Sequence, residues 1–188
     1  MNKNIFIHNT SIVESKDIGK GTKIWEFCHI LPDTKIGMNC NICAYCFIEN
    51  GVRVGNNVTI KNGVSLWKKV SIEDNVFIGP DVVFTNDLNP RAEIKKGDDE
   101  LLETVVKNGC TIGANSTILC GIVLGNYSFI AAGSVITRDI TDYALMMGNP
   151  AKQAGYMCQC GNRMIPDSRC DCGRIYRVNE NDSVYLID

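Results

Sequence analysis

Ile12, Ile18, Ile24, Ile30, Ile36, Ile42, Ile48, Val54, Ile60, Leu66, Ile72, Ile78 and Phe84 stand at every sixth position of the chain. Thirteen large apolar residues at one fixed short interval mark a β-solenoid, because neither the turn of an α-helix nor the alternation of an ordinary strand has a period of six. A strand of about three or four residues followed by a turn does.

A second series runs four residues behind the first, with Thr22, Cys28, Thr34, Cys40, Cys46, Val52, Val58, Val64, Val70, Val76 and Val82. Each hexapeptide thus offers one large and one smaller inward side chain, with Gly, Asn, Asp and Lys between them. One hexapeptide makes one face, and three faces close a triangular coil. Residues 18 apart then stack at the ~4.8 Å spacing of neighbouring strands, with Ile12, Ile30, Ile48, Leu66 and Phe84 in one column and Cys28, Cys46, Val64 and Val82 in another.

Working outward, residues 1–11 lead in, with Phe6 already in phase. Beyond Phe84 the phase returns at Val106, Ile112, Ile118, Leu124, Ile130 and Ile136. Six does not divide the interval from 84 to 106, so a loop over residues 85–105 leaves the coil. It is polar, carries Pro90 and Gly97, and is held at both ends by scaffold, which suits a functional loop as well as a tolerated insertion. After Ile136 the repeat ends. Residues 141–157 are expected to supply a terminal strand and turn covering the last coil, followed by a short helix over 151–157.

The tail, residues 158–188, holds Cys158-Gln159-Cys160-Gly161 and Cys170-Asp171-Cys172-Gly173. Two paired thiol units suit a closed tetrahedral zinc site, and a glycine after each pair lets the backbone turn its N–H groups toward sulfur. Free thiols or a disulfide pair are the other readings of Cys158, Cys160, Cys170 and Cys172. The remaining six cysteines lie inside the repeat, four of them at the small inward position, where Cys serves as a small hydrophobe.

A chain of 188 residues has room for one solenoid domain and a small appendage, and 19 basic against 21 acidic residues argue against a nucleic-acid surface as its main business. The start has no signal-peptide pattern and no stretch reaches the ~20 apolar residues of a membrane span. With thiols kept reduced, a cytoplasmic protein is expected.

The hexapeptides, the Phe84-Thr85-Asn86 and Asn89-Pro90-Arg91 elements of the loop, and the closing Gly148-Asn149-Pro150-Ala151-Lys152 resemble the left-handed β-helix acyltransferases. Lys23-Ile24-Trp25-Glu26-Phe27-Cys28-His29-Ile30 and Gly155-Tyr156-Met157-Cys158 are similar to the branch that acetylates a 3-amino sugar on a nucleotide for bacterial surface polysaccharide such as the O-antigen. The resemblance implies an all-β, left-handed parallel β-helix, a homotrimer with sites between subunits, and acetyl-CoA as donor. For the acceptor it implies UDP-2-acetamido-3-amino-2,3-dideoxyglucuronate first and a dTDP-3-amino-3,6-dideoxyhexose second.

Transfer from a thioester to an amine needs alignment, a route for a proton and stabilisation of an oxyanion, and no protein nucleophile. At the loop hinge, the resemblance implies Asn86 as the reaction-centre amide, although an Asn there also suits a turn that caps its own backbone. His29 is the imidazole available as a base in the coils, or a surface histidine. Lys152, with Arg138, is expected at the CoA phosphates, and Gly113, Ala114, Ala131 and Ala132 along the pantetheine arm, where turn packing also favours small residues. Arg91 suits a diphosphate or a sugar carboxylate. Lys68, one coil below Asn86, is a further substrate contact or a solvated lysine. Two rival functions fit the same prism. A three-histidine metal enzyme is nearly excluded by a chain with only His8 and His29, and a non-catalytic binding solenoid would need neither the loop nor the Asn-Pro-Ala-Lys ending.

Overall fold

A computed structural model describes residues 4–179 and 184–187; of the lead-in and the tail, residues 1–3, 180–183 and 188 lie outside the described residues. Among the described residues every regular element is a strand. Short strands, parallel except for the last two of the first sheet, stack into three sheets, of ten, seven and six strands, that form the first, second and third faces of a prism, and a two-stranded antiparallel sheet lies in the tail. Within a sheet, partners lie one coil apart, as in Ile24 with Ile42, Ile48 with Leu66 and Ile36 with Val54. This is the expected parallel β-helix.

Both inward series form the core. Ile24, Ile30, Ile42, Ile48, Ile60, Leu66, Ile78, Ile112, Ile118 and Leu124 are fully buried, each removing a side chain worth about 1.5–3 kcal/mol from water. The smaller position has a second task. Thr22, Thr34 and Ser116 donate their hydroxyls to the carbonyls of Gly37, Glu49 and Ala131, at 2.8, 3.1 and 3.1 Å. The thiols of Cys28, Cys40 and Cys46 reach Cys43, Gly55 and Lys61 in the same way. Cys therefore satisfies a turn carbonyl as well as filling space. Burial pushes the Cys110 thiol up to about 12, so it stays protonated and unreactive.

At most corners the residue before the small position has a positive φ, as at Asn39, Gly51, Asn57, Gly63, Asn75 and Asp81. That conformation costs a side chain with a Cβ roughly 1–2 kcal/mol, which is why Gly, Asn and Asp recur there.

Four expectations need correction. Phe6 pairs with Lys23, so Ile7, six residues before Val13, stands in phase with Ile24 and Phe6 faces outward. Ile12 pairs with His29 rather than Ile30, and Val13 takes the inward place. The first coil is one residue short between Val13 and Ile18, and a slip of one turns a side chain to the other surface, leaving Ile12 60% exposed. Residues 151–157 contain no helix. The strand Lys152–Met157 folds back antiparallel on Ala144–Met147 and covers the open edge of the first face, which satisfies backbone groups that a helix would have left unpaired. The excursion is also shorter than 85–105, since Thr104–Val106 already pairs with Val70–Ile72.

The tail packs on the corner between the third and first faces. Tyr127 and Tyr143 stack there, with ring centroids 5.7 Å apart, and Tyr176, fully buried, meets Tyr143 edge-on.

Candidate active site

The loop leaves the prism at the corner between the second and third faces. The Asn86 carbonyl accepts the Leu102 amide at 3.0 Å and closes the loop's neck. Its side-chain Nδ2 reaches the Lys68 carbonyl at 3.4 Å, so Lys68 sits one coil below, as its spacing predicts. Among the described residues nothing donates to the half-buried Asn86 Oδ1, which leaves an acceptor for an incoming N–H. This does not resemble the self-capping turn.

Two ion pairs brace the loop. Lys96 Nζ lies 2.5 Å from Asp87 Oδ1 and 3.1 Å from the Asn89 carbonyl. Lys96 holds the Asp87 carboxyl below its usual range, through that hydrogen bond first. Lys68 pairs with Asp98. Sequence reasoning passed over Asp87 and Lys96, although two opposite charges inside a loop held at both ends were a readable signal. Arg91 is at the exposed tip, where Arg91 and Ile94 form a tight bridge; its guanidinium has no partner among the described residues.

The small residues lie elsewhere. Gly113, Ala114, Ala131 and Ala132 occupy the corner between the first and second faces. A Cβ on Gly113 would meet the Ala132 amide at 2.4 Å, so coil stacking by itself requires that glycine. The exposed Lys152 stands at the top of the same corner, because the Gly148 amide binds Ser134 Oγ at 3.2 Å and the Ala151 amide binds the Val135 carbonyl at 2.9 Å. Arg138 lies on the other corner, in the last turn between Ile136 and Ile140, above Asn86.

Within one protomer the expected residues therefore form two groups. Asn86, Lys68, Arg91 and Arg138 line one edge of the second face; Gly113, Ala114, Ala131, Ala132 and Lys152 line the other. His29 joins neither. It points outward from the second face, Nε2 3.2 Å from Glu14 Oε2, with its ring edge-on to Phe47. Successive pairing of His29, Phe47, Ser65 and Val83 puts it three coils below Asn86, about 14 Å along the axis.

In the tail, the Sγ atoms of Cys158, Cys160, Cys170 and Cys172 all lie within 4.8 Å of one another. Two of these separations, Cys158 to Cys172 and Cys160 to Cys170, are 3.5 and 3.7 Å. A tetrahedron with Zn–S of about 2.3 Å has edges of about 3.8 Å. The two halves fold alike, with Gly161 and Gly173 at positive φ donating to the Cys158 and Cys170 carbonyls. The four sulfurs thus fit a closed metal site. No helix among the described residues is long and apolar enough to cross a membrane.

The chain matches the bacterial transferase hexapeptide (six repeats) family over residues 16–50, 51–86 and 103–138. It is 52% identical over 185 residues, 97% of this chain and 95% of the relative, to a dTDP-3-amino-3,6-dideoxy-alpha-D-galactopyranose 3-N-acetyltransferase of Aneurinibacillus thermoaerophilus. Among solved structures it is similar in fold to a point mutant of AntD, an N-acyltransferase from Bacillus cereus in complex with dTDP and coenzyme A. That likeness has a TM-score of 0.61 at 18% identity and covers 81% of each chain. A putative acetyltransferase of Bacillus cereus aligns with a TM-score of 0.55 at 19% identity, over 82% of this chain and 78% of that one.

Proposed function

Since the chain belongs to the bacterial hexapeptide-repeat transferase family, we propose that it is an acetyl-CoA-dependent nucleotide-aminosugar N-acetyltransferase whose acceptor is a dTDP-linked 3-amino-3,6-dideoxyhexose. The observation that carries this reading is the near full-length, 52% identical relative of that specificity. It favours the deoxyhexose over the UDP-linked uronate that motif resemblance put first.

In this mechanism the neutral 3-amine attacks the thioester carbonyl. The N–C bond forms, the C–S bond breaks, and the amine proton leaves with the departing CoA sulfur as thiol. Asn86 Oδ1 accepts an amine N–H and keeps the lone pair aimed at the carbonyl. Arg91 and Lys68 meet the nucleotide diphosphate, and Lys152, with Arg138, meets the CoA phosphates. His29 is too far along the axis to act as base, and the mechanism does without one.

The two edges can meet only if the Asn86 edge of one copy faces the small-residue edge of the next. A closed ring of three copies, each turning its second face to the axis, does this. Composition supports it. From Phe47 to Val135 the outward column of the second face is uncharged, which suits a surface turned toward other copies. For the tail we propose a structural zinc ion held by Cys158, Cys160, Cys170 and Cys172, closed to substrate. All ten cysteines are free, which supports a cytoplasmic enzyme, where acetyl-CoA and nucleotide sugars are at hand. Nucleic acid and membrane play no part in this scheme.

The test is CoA release from acetyl-CoA with a panel of nucleotide aminosugars. The dTDP-linked 3-amino-3,6-dideoxyhexose should give the highest kcat/KM. Preference for the UDP-linked 3-amino uronate would restore the other acceptor, and no CoA release with any member would favour a binding solenoid.

A further inference from the structure

Two corners of the prism carry aromatic residues at turn positions that otherwise favour Gly, Asn and Asp. On one, Tyr127 and Tyr143 (φ 52 and 61) are stacked, and the tail's Tyr176 covers them. On the other, between the first and second faces, Phe27 and Tyr45 (φ 56 and 63) are stacked with centroids 5.1 Å apart at 19°. These rings are 54% and 64% exposed. Burial inside the chain offsets the backbone strain at the first ladder. Among the described residues no segment covers the second, and strain kept without an internal return points to a ligand or partner.

The open ladder has a defined end. One coil above Tyr45 the turn residue is Gly63, whose amide binds the Ala44 carbonyl at 3.2 Å, so no side chain continues the stack and Tyr45 forms the top of a step one strand spacing high. Lys61 and Asn62, on the same turn as Gly63, flank the step with an ammonium and an exposed amide. The Phe27 turn belongs to the Trp25-Glu26-Phe27 motif, to which the acetyl-transfer scheme gives no task.

We propose that Phe27 and Tyr45 form the stacking platform for the base of the nucleotide-linked acceptor, with Lys61 beside its diphosphate and Asn62 at the edge of the base. The inference rests on the acetyltransferase reading above and deepens it. Tyr45 lies two coils below the level of Asn86, about 10 Å along the axis, and Lys68 stands at the intermediate level. Base, diphosphate and amino sugar then follow the axis in order, in the cleft between this corner and the Asn86 edge of the next copy. An aromatic face accepts any base, while an amide offers the donor and acceptor that a pyrimidine edge needs.

The experiment is calorimetric titration of the intact assembly with dTDP, UDP and CoA, for wild type, Tyr45→Asn and Phe27→Asn. Asn already occupies this turn position at Asn39, Asn57 and Asn75, so each variant should fold with an equal or higher Tm. Each should raise the Kd for dTDP at least about tenfold, with the Kd for CoA and the sedimentation coefficient unchanged. An unchanged dTDP Kd would overturn the platform and leave the acetyltransferase reading intact. So would loss of assembly in either variant, because the ladder would then be a contact between copies. Wild type that binds neither dTDP nor UDP would remove both the platform and the acceptor class on which it rests.

Discussion

The two edges of the second face are built from the same hexapeptide and have become opposites. At one, successive turns are stripped to Gly113, Ala114, Ala131 and Ala132, and the backbone itself forms the surface. At the other, a turn has been expanded into a braced loop carrying Asn86 and Arg91. A thin ligand arm can lie against the first, and a branched polar acceptor can be gripped by the second. The difference teaches that the repeat fixes the level of each corner along the axis and leaves its chemistry free.

Mixing two defective copies is the strongest test of this division. Asn86→Ala should lower turnover at least about tenfold with the fold intact, and Ala132→Trp should block the donor groove at least as severely. Each homo-oligomer is expected to be nearly inactive. Co-expressed, the two should regain a measurable share of wild-type CoA release, because some clefts then join an intact Asn86 edge to an intact groove. Mixed assemblies no more active than either parent would break the comparison.

Metal removal sharpens it next. Native protein should contain about one zinc per chain by atomic emission, and Cys160→Ser should lose it, with a lower Tm. Because the tail follows directly from the strand carrying Lys152, chelation should raise the KM for acetyl-CoA more than that for the acceptor. Equal activity and Tm in metal-free protein would make the tail a passive extension. The smallest effect is expected for Lys152→Ala, a roughly three- to fivefold rise in the KM for acetyl-CoA, since an exposed ion pair contributes little more than about 1 kcal/mol. That rise should shrink with added salt and leave the acceptor KM alone.

The prism was legible because its inward positions obey a local and periodic rule that needs no knowledge of distant contacts. It failed at Ile12 because Val13 is equally apolar, so composition could not tell which of the two turned inward after a five-residue step. It failed at residues 151–157 because an amphipathic segment after a turn reads alike as helix or strand until the open edge beside it is known. The candidate site was half legible. Residue types suggested the chemistry of Asn86 and Ala132, and counting in steps of 18 would have placed them on different edges. The bracing of the loop by Lys96 and Asp87, and the exposure of Phe27 and Tyr45, emerge only in three dimensions.

The coil is indifferent to what leaves it at a corner. Phe84 meets Ile118 across the insertion just as Ile48 meets Leu66 without one, and doubling the length of such a loop costs only about 0.6 kcal/mol in closure entropy. If the loop grips the amino sugar as proposed, exchanging this one segment between relatives should change sugar preference while the scaffold stays as it is. A new segment can be tried at this corner at almost no risk to folding.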